Sequence, residues 1–144
     1  MAMETDLLDR QIIDLLMEDA HRSSEVLAEY LNVSSSTVRR RMKRLVEQGI
    51  VHIVALPQPN KVGLFSEAII ALDVSHDKTS LVLEQLNGYP EVRWAAATSG
   101  RFDIMLYVWL STTDDLHNFI NELGKLDGVL QSETFICLHV AKSP

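Results

Sequence analysis

Residues 34–44 read Ser-Ser-Ser-Thr-Val-Arg-Arg-Arg-Met-Lys-Arg, so five of the six residues from Arg39 to Arg44 are cationic. The whole chain of 144 residues carries a formal net charge of -7, which makes this positive run a local feature. A dense positive stripe on an acidic protein indicates a binding site for a polyanion. A short helix that begins with small hydroxyl residues suits DNA, and the sequence therefore predicts double-stranded DNA as a partner.

The apolar residues of this region have the spacing of one helix face. We expect the helix to start at Ser34 and to stop at Gly49, because glycine commonly ends a helix. At ~100° per residue, four side chains fall within one arc of about 100°, which we expect to be buried. These four are Val38, Met42, Leu45 and Val46.

The remaining surface of this helix carries the predicted DNA contacts. They are the hydroxyl and basic residues Ser35, Ser36, Thr37, Arg39, Arg40, Lys43 and Arg44. We expect Ser36 and Arg40 to reach base edges, and the other basic residues of this set to contact phosphates. Arg41 flanks the apolar arc, where it either supports the fold or contacts DNA.

A run of arginine and lysine can also be no more than the solvated face of a helix. Solvated helices commonly pair such cations with glutamates four residues away, and this run has no interleaved glutamate. We therefore favour DNA binding over a merely solvated face.

Two shorter helices and a strand complete the predicted DNA-binding domain, residues 1–56. An apolar stripe over residues 7–16 follows an Asp6 cap, and a second helix begins near Ser24. We expect this second helix to bury Val26, Leu27 and Leu31. The pattern of residues 50–54 predicts the strand of a wing, so we expect the domain to be a winged helix-turn-helix. In that arrangement the basic helix would lie in the major groove.

A linker at residues 57–64, rich in proline, separates a second predicted domain at residues 65–144. Its pattern predicts strands at 65–74, 92–98, 102–110 and 129–140, and helices at 79–88 and 113–126. The order βαββαβ is that of a ferredoxin-like α+β fold, in which an antiparallel sheet carries both helices on one face.

Some strands of this domain are apolar on both faces, which a sheet with one solvated face does not need. The clearest is Ile104–Leu110. Because the helices cover only one face, we expect a second copy of the sheet to cover the other. The sequence therefore predicts a homodimer, which would present two basic helices to a roughly two-fold symmetric DNA site.

The turn between the central strands, Ser99-Gly100-Arg101-Phe102-Asp103, has two interpretations. It is either a tight turn in which Gly100 supplies a positive φ, or a site for a small ligand. In the second case, backbone N–H groups near Gly100 hold a carboxylate and Asp103 pairs with an ammonium, a combination that suits a free α-amino acid. Thr134, on the last strand, is either an additional pocket hydroxyl or an ordinary strand residue.

Other residue patterns exclude several protein classes. The single cysteine, Cys137, excludes an internal disulfide framework and is typical of the cytoplasm. No apolar run reaches the ~20 residues that span a bilayer, and we expect no membrane partner. The five histidines are scattered without metal-ligand spacing, and no catalytic motif is present. We expect no catalytic residue, metal or cofactor, and hence no enzyme.

The order of several short motifs resembles that of the Lrp/AsnC family of bacterial and archaeal transcription regulators. They are Leu8–Ile13, Leu27-Ala28, Val33-Ser34, Arg41, Leu45, Gly49-Ile50 and Gly100-x-x-Asp103. This resemblance implies a winged helix-turn-helix followed by a ferredoxin-like sensor domain. It also implies dimers through the sheets, often assembled into octamers, with amino-acid effectors bound between dimers near the Gly-x-x-Asp hairpin.

Arg101 departs from the family pattern, which commonly has an acidic or small residue after the motif glycine. If Arg101 faces the pocket, it favours an effector with an acidic or amide side chain over leucine.

Two other functions fit the same two-domain plan. One is an enzyme similar to siroheme decarboxylases. The pocket for a tetrapyrrole would need clustered histidine and arginine, and the scattered histidines of this chain argue against it. The other is a sensor whose helical domain binds protein, against which the basic helix argues.

Overall fold

A computed structural model describes residues 5–141, which form two compact units divided between Ala55 and Leu56. The predicted domains 1–56 and 65–144 also include residues 1–4 and 142–144, which lie outside the described residues. The first unit contains the helices α1 (Leu7–Glu18), α2 (Ser24–Leu31) and α3 (Ser35–Glu47).

Each helix of the first unit begins at a residue whose side chain accepts a backbone N–H bond of the first turn. The caps are Asp6, Ser23 and Ser34. Ser24, where the second helix was expected to begin, is the first helical residue, one position after its cap. The helices enclose a small core formed by Ile12, Leu16, Leu27, Ala28, Val38 and Leu45.

Three residues that the sequence pattern assigned to apolar faces lie at the surface. Leu7 is 73% exposed, Val26 is 40% exposed and Val46 is 46% exposed. Three short helices cover only part of each predicted apolar face and leave these three positions uncovered. The buried face of α3 is therefore narrower than predicted and centres on Val38 and Leu45.

The predicted wing strand at residues 50–54 is wrong: no strand is assigned to this segment. Gly49 has φ +67, and the N–H groups of Ile50 and Val51 both donate to the Leu45 carbonyl, at 2.9 and 3.1 Å. These two amides close the end of α3 and are not free to pair with a neighbouring strand.

The second unit is an antiparallel sheet with two helices. Its elements are β1 (Ser66–Val74), α4 (Thr79–Leu86), β2 (Val92–Ala97), β3 (Ile104–Leu110), α5 (Thr113–Leu123) and β4 (Val129–Ile136). The strand order β2-β3-β1-β4 and the antiparallel pairing confirm the ferredoxin-like prediction. β4 ends at Ile136 and not at residue 140, because β1 offers little chain beyond the Ala68–Ile136 pair.

Both helices pack on one face of the sheet and form a continuous apolar core. Its helix residues are Val82, Leu86, Leu116, Phe119 and Leu123, and its strand residues include Ile70, Leu72, Leu106 and Val108. We call the opposite face of the sheet the outer face. There the Tyr107 hydroxyl donates a hydrogen bond to Glu67, and the Arg93 guanidinium lies 4.6 Å from the centre of the Trp109 ring.

Within residues 5–141, every helix is too short or too polar to cross a bilayer.

Candidate functional site

The start of α3 is a cluster of hydroxyl groups. The Ser34 hydroxyl accepts the Thr37 backbone N–H at 3.2 Å and lies 3.0 Å from the Ser36 hydroxyl and 2.8 Å from that of Thr37. Ser36 is exposed, whereas Ser35 and Thr37 are half-buried. Exposed hydroxyls beside the free N–H groups of a helix N-terminus are suitable donors for a phosphate oxygen.

Three basic side chains of α3 lie exposed at its surface. Arg39 is 3.0 Å from Glu25 of α2, and Lys43 is 3.7 Å from Glu47. Arg40 has no acidic partner among the described residues. The argument that the run lacks glutamate partners four residues away is therefore wrong for Lys43, which pairs with Glu47, whereas the partner of Arg39 belongs to another helix. Exposed pairs contribute about 0–1 kcal/mol, so a phosphate can readily replace either carboxylate.

Arg41 and Arg44 point to a different partner, the carboxylate of Asp9 on α1. Arg41 donates to Asp9 at 3.0 Å and also to Asp6, and Arg44 donates to the second oxygen of Asp9. The Asp9 side chain is only 1% exposed. The structure thus places Arg41 in contacts that support the fold, which is one of its two interpretations. It places Arg44, predicted on a phosphate, in a bond to the same buried carboxylate.

The Arg41 guanidinium also determines the ionisation of Asp6. Its hydrogen bond, helped by the Asp9 backbone N–H, lowers the pKa of Asp6 from 3.8 to about 2. The same hydrogen bond raises the pKa of Arg41 above its ordinary value. Asp6 and Arg41 therefore remain a charged pair throughout the physiological pH range.

The hairpin between β2 and β3 is closed by its own backbone and by one carboxylate. The Thr98 N–H donates to the Asp103 carbonyl at 2.9 Å, and Asp103 Oδ2 accepts the Val74 N–H at 2.8 Å. Gly100 does not have the positive φ expected of it; in residues 5–141 the glycines that do are Gly49, Gly63 and Gly128. A Cβ added at Gly100 would meet no atom within 4 Å, so the backbone here is open to a ligand.

The other predicted effector residues are not all brought together. Ser99 and Arg101 are exposed, and the Arg101 guanidinium lies 5.0 Å from the centre of the Phe102 ring and 3.9 Å from Glu133. Thr134 pairs with Ile70 and therefore lies on the face that the helices cover, whereas Glu133 is on the outer face. The structure thus turns Arg101 and Thr134 toward opposite faces of the sheet.

Sequence reasoning missed the role of Asp9, although a signal was present. An acidic residue stands three positions before the core residue Ile12, inside an apolar helical stripe. A carboxylate at such a position is buried on folding and requires cationic partners. It also completes a capping box, since Asp9 Oδ2 accepts the Asp6 backbone N–H at 3.1 Å.

Comparison with protein families assigns both halves of the chain. Residues 67–144 match the Lrp/AsnC ligand binding domain, and residues 5–52 match a winged helix-turn-helix DNA-binding domain. The two matches fall on the second and the first unit of the structure, respectively.

Comparison with individual proteins covers nearly the whole chain. An uncharacterised HTH-type transcriptional regulator of Pyrococcus horikoshii is 37% identical over 142 residues, which are 97% of this chain and 90% of the relative. The HTH-type transcriptional regulator LrpA of Pyrococcus abyssi is 34% identical over 126 residues, which are 86% of this chain and 89% of the relative.

Two solved structures show the same fold. AsnC of E. coli has a TM-score of 0.80 at 27% identity, with 99% of this chain and 97% of the other covered. A transcriptional regulator of Neisseria meningitidis, solved as a complex with L-Met, has a TM-score of 0.83 at 26% identity, with 97% and 94% covered.

Proposed function

This chain belongs to the Lrp/AsnC family of DNA-binding transcriptional regulators, and from that premise we propose how it recognises DNA and what it senses. In this proposal α3 reads a specific duplex sequence, the outer face of the sheet forms a homodimer, and the β2–β3 hairpin responds to a free amino acid.

The observation that carries the DNA-binding proposal is the exposed basic surface of α3. Arg39, Arg40 and Lys43 stand on this surface in a chain of net charge -7, behind the hydroxyl cluster at the helix start. Arg40 alone of the three has no acidic partner among the described residues, which favours it for base edges. Arg39 and Lys43 need only release exposed carboxylates to reach phosphates.

The exposure of two aromatic side chains supports the homodimer. Trp94 pairs with Tyr107, and Phe135 pairs with Ile69, so both lie on the outer face of the sheet. Trp94 is 52% exposed and Phe135 is 46% exposed. A second copy of the sheet would cover both rings, and octamers would form from such dimers. Native mass measurement on dilution tests this arrangement, with Trp94→Glu expected to shift the assembly toward the monomer.

The open hairpin supports the effector proposal. Exposed backbone at Ser99 and Gly100 is available to a carboxylate, and one oxygen of Asp103 is free to accept from an ammonium. Arg101 is 79% exposed, and its distance of 3.9 Å from the Glu133 carboxylate is too long for a hydrogen bond, so its guanidinium is available to an acidic or amide side chain. The L-Met complex of the Neisseria regulator supports an amino acid as the class of ligand.

Fluorescence anisotropy with a duplex from the chain's own upstream region tests the DNA proposal. We expect binding that weakens steeply with salt, because neutralised phosphates release counterions. Arg40→Ala should reduce both affinity and sequence preference, whereas Lys43→Ala should weaken binding to all duplexes alike. Unchanged affinity and preference in Arg40→Ala would contradict the assignment of the reading face.

Calorimetric titration with the twenty amino acids tests the effector proposal. We expect heat of binding from Asp, Glu, Asn or Gln, and its loss in Arg101→Ala. Tight binding of leucine with no response to these four would refute the role given to Arg101.

A further inference from the structure

The five cations of α3 divide into two groups with different electrostatic surroundings. Arg39, Arg40 and Lys43 are exposed. The glutamates that pair with Arg39 and Lys43 are exposed too. Arg41 and Arg44 share the carboxylate of Asp9, whose side chain is 1% exposed. Only two fifths of the Arg44 side chain is exposed, and its Nε atom is buried without a partner.

These surroundings make the two groups unequal in their availability to DNA. Moving Arg39 or Lys43 from a solvated carboxylate to a phosphate exchanges one exposed pair for another. Moving Arg44 would leave a buried carboxylate short of a partner, which is costly because water cannot replace the lost bond. The same carboxylate is fixed in place by the capping box of α1, so it cannot follow Arg44 outward.

We propose that Asp9 is a positioning residue, which withholds Arg41 and Arg44 from DNA phosphates and so limits the sequence-independent part of binding. This inference rests on the proposed DNA-binding function and limits it. Of the five cations of α3, Arg39 and Lys43 contact phosphates, Arg40 contacts base edges, and Arg41 and Arg44 do neither. Phosphate contacts supply essentially all of non-specific binding. Asp9 therefore lowers the affinity for any duplex and leaves sequence preference to the exposed residues.

Asp9→Asn tests this proposal through the salt dependence of binding to a duplex of random sequence. Freed arginines would each add about 0.9 to the magnitude of the slope of log K against log salt. We expect the slope to steepen by about 1 to 2 for each recognition helix, and the affinity for specific and random duplexes to rise alike. A merely structural role would weaken binding and would not steepen the slope.

Asp14→Asn is the matched control. Asp14 is an exposed residue of the same helix, and within the described part of the chain it pairs with no cation. Its replacement makes the same change in net charge without releasing an arginine. Equal slopes in the Asp9→Asn and Asp14→Asn proteins would overturn the inference.

Arg44→Gln keeps the test decisive if Asp9→Asn disturbs α1. We expect Arg44→Gln to leave the slope of log K against log salt unchanged, whereas Lys43→Gln should lower the magnitude of this slope by about 1. A loss in Arg44→Gln equal to that in Lys43→Gln would place Arg44 on a phosphate and overturn the inference. Absence of wild-type binding to any duplex would instead remove the proposed function itself, so the two failures are distinguishable.

Discussion

The carboxylate of Asp103 accepts the backbone N–H of Val74 at 2.8 Å and so joins the start of β3 to the end of β1. The Asp103 N–H donates to the Leu72 carbonyl at 3.0 Å, so the same residue holds β1 twice. The pairing of β1 with β3 ends at Leu72 and Ile104, so the Val74 amide lies beyond the last pair and takes this carboxylate as its acceptor. A residue expected to meet an ammonium therefore also stabilises the sheet.

Asp103→Ala should lower the free energy of unfolding by about 1–3 kcal/mol, because the amide of the buried residue Val74 loses its acceptor. Urea unfolding without added amino acid measures this effect. Asp103→Asn is the control, since its side-chain oxygen can still accept the Val74 N–H. Equal stability of the alanine variant and the wild type would show that this bond contributes nothing to folding.

Ser34→Ala should destabilise the chain by about 1 kcal/mol, the usual effect of removing a helix N-cap. The Ser34 hydroxyl accepts the Thr37 N–H, so its loss leaves a first-turn amide without that partner. Thermal unfolding checks this, with the exposed Ser36→Ala expected to change stability by less than about 0.5 kcal/mol. A larger loss in Ser36→Ala than in Ser34→Ala would contradict the capping assignment.

Local patterns in the sequence predict most of the elements and some of their ends. Asp6, Ser34 and Gly49 act on neighbours within a few residues, so the caps and the stop of α3 follow from sequence spacing. The βαββαβ order follows in the same way, because helical and strand periodicities alternate along the chain. The error at Val26 arises because tertiary packing decides which side chains are covered. The error at the wing strand has a local cause, the bonds from the Ile50 and Val51 amides to the Leu45 carbonyl.

The division of the cations of α3 could not be read from local spacing. Arg44 and Asp9 are 35 residues apart, and only the packing of α1 on α3 brings them together. Helical phase correctly placed Arg40 on the exposed side, because phase is a property of one helix. It could not show that Glu25, from another helix, lies 3.0 Å from Arg39.

The Asp6–Arg41 pair should make stability depend on pH in the acid range. The folded pKa of Asp6 is about 2 against an ordinary 3.8, so the folded state binds the proton less readily than the unfolded chain. The stabilisation is therefore present above about pH 4 and is lost as the pH falls toward 2. In thermal unfolding, Asp6→Asn should show a flatter pH dependence between these limits, and identical profiles would contradict the pairing.

Tyr107 should titrate at higher pH than an exposed tyrosine. Burial, and then the hydrogen bond to Glu67, raises its pKa from 10.0 to about 12. The folded state holds this proton more tightly, so the stabilisation is present below pH 10 and is lost as the pH rises toward 12. An ultraviolet titration of tyrosine should show one ionisation near pH 12, and this step should be missing in Tyr107→Phe. Three groups that all ionise near pH 10 would contradict the buried hydrogen bond.

Two glycines should respond in opposite ways to replacement by alanine. Gly128 has φ +102, and a Cβ there would overlap Cβ of Lys78, so Gly128→Ala has both backbone strain and a steric clash. We expect Gly128→Ala to lower the free energy of unfolding by about 1–3 kcal/mol, which urea unfolding would measure.

Gly100 has neither a positive φ nor an atom within 4 Å of the added Cβ, and Gly100→Ala should leave stability within about 0.5 kcal/mol of the wild type. It is therefore a clean probe of the hairpin, since a loss of amino-acid binding in this variant would be due to the Cβ in the ligand's path. Amino-acid binding that is unchanged in Gly100→Ala would place the effector away from this turn. Marked destabilisation would mean that the turn is less open than the structure indicates.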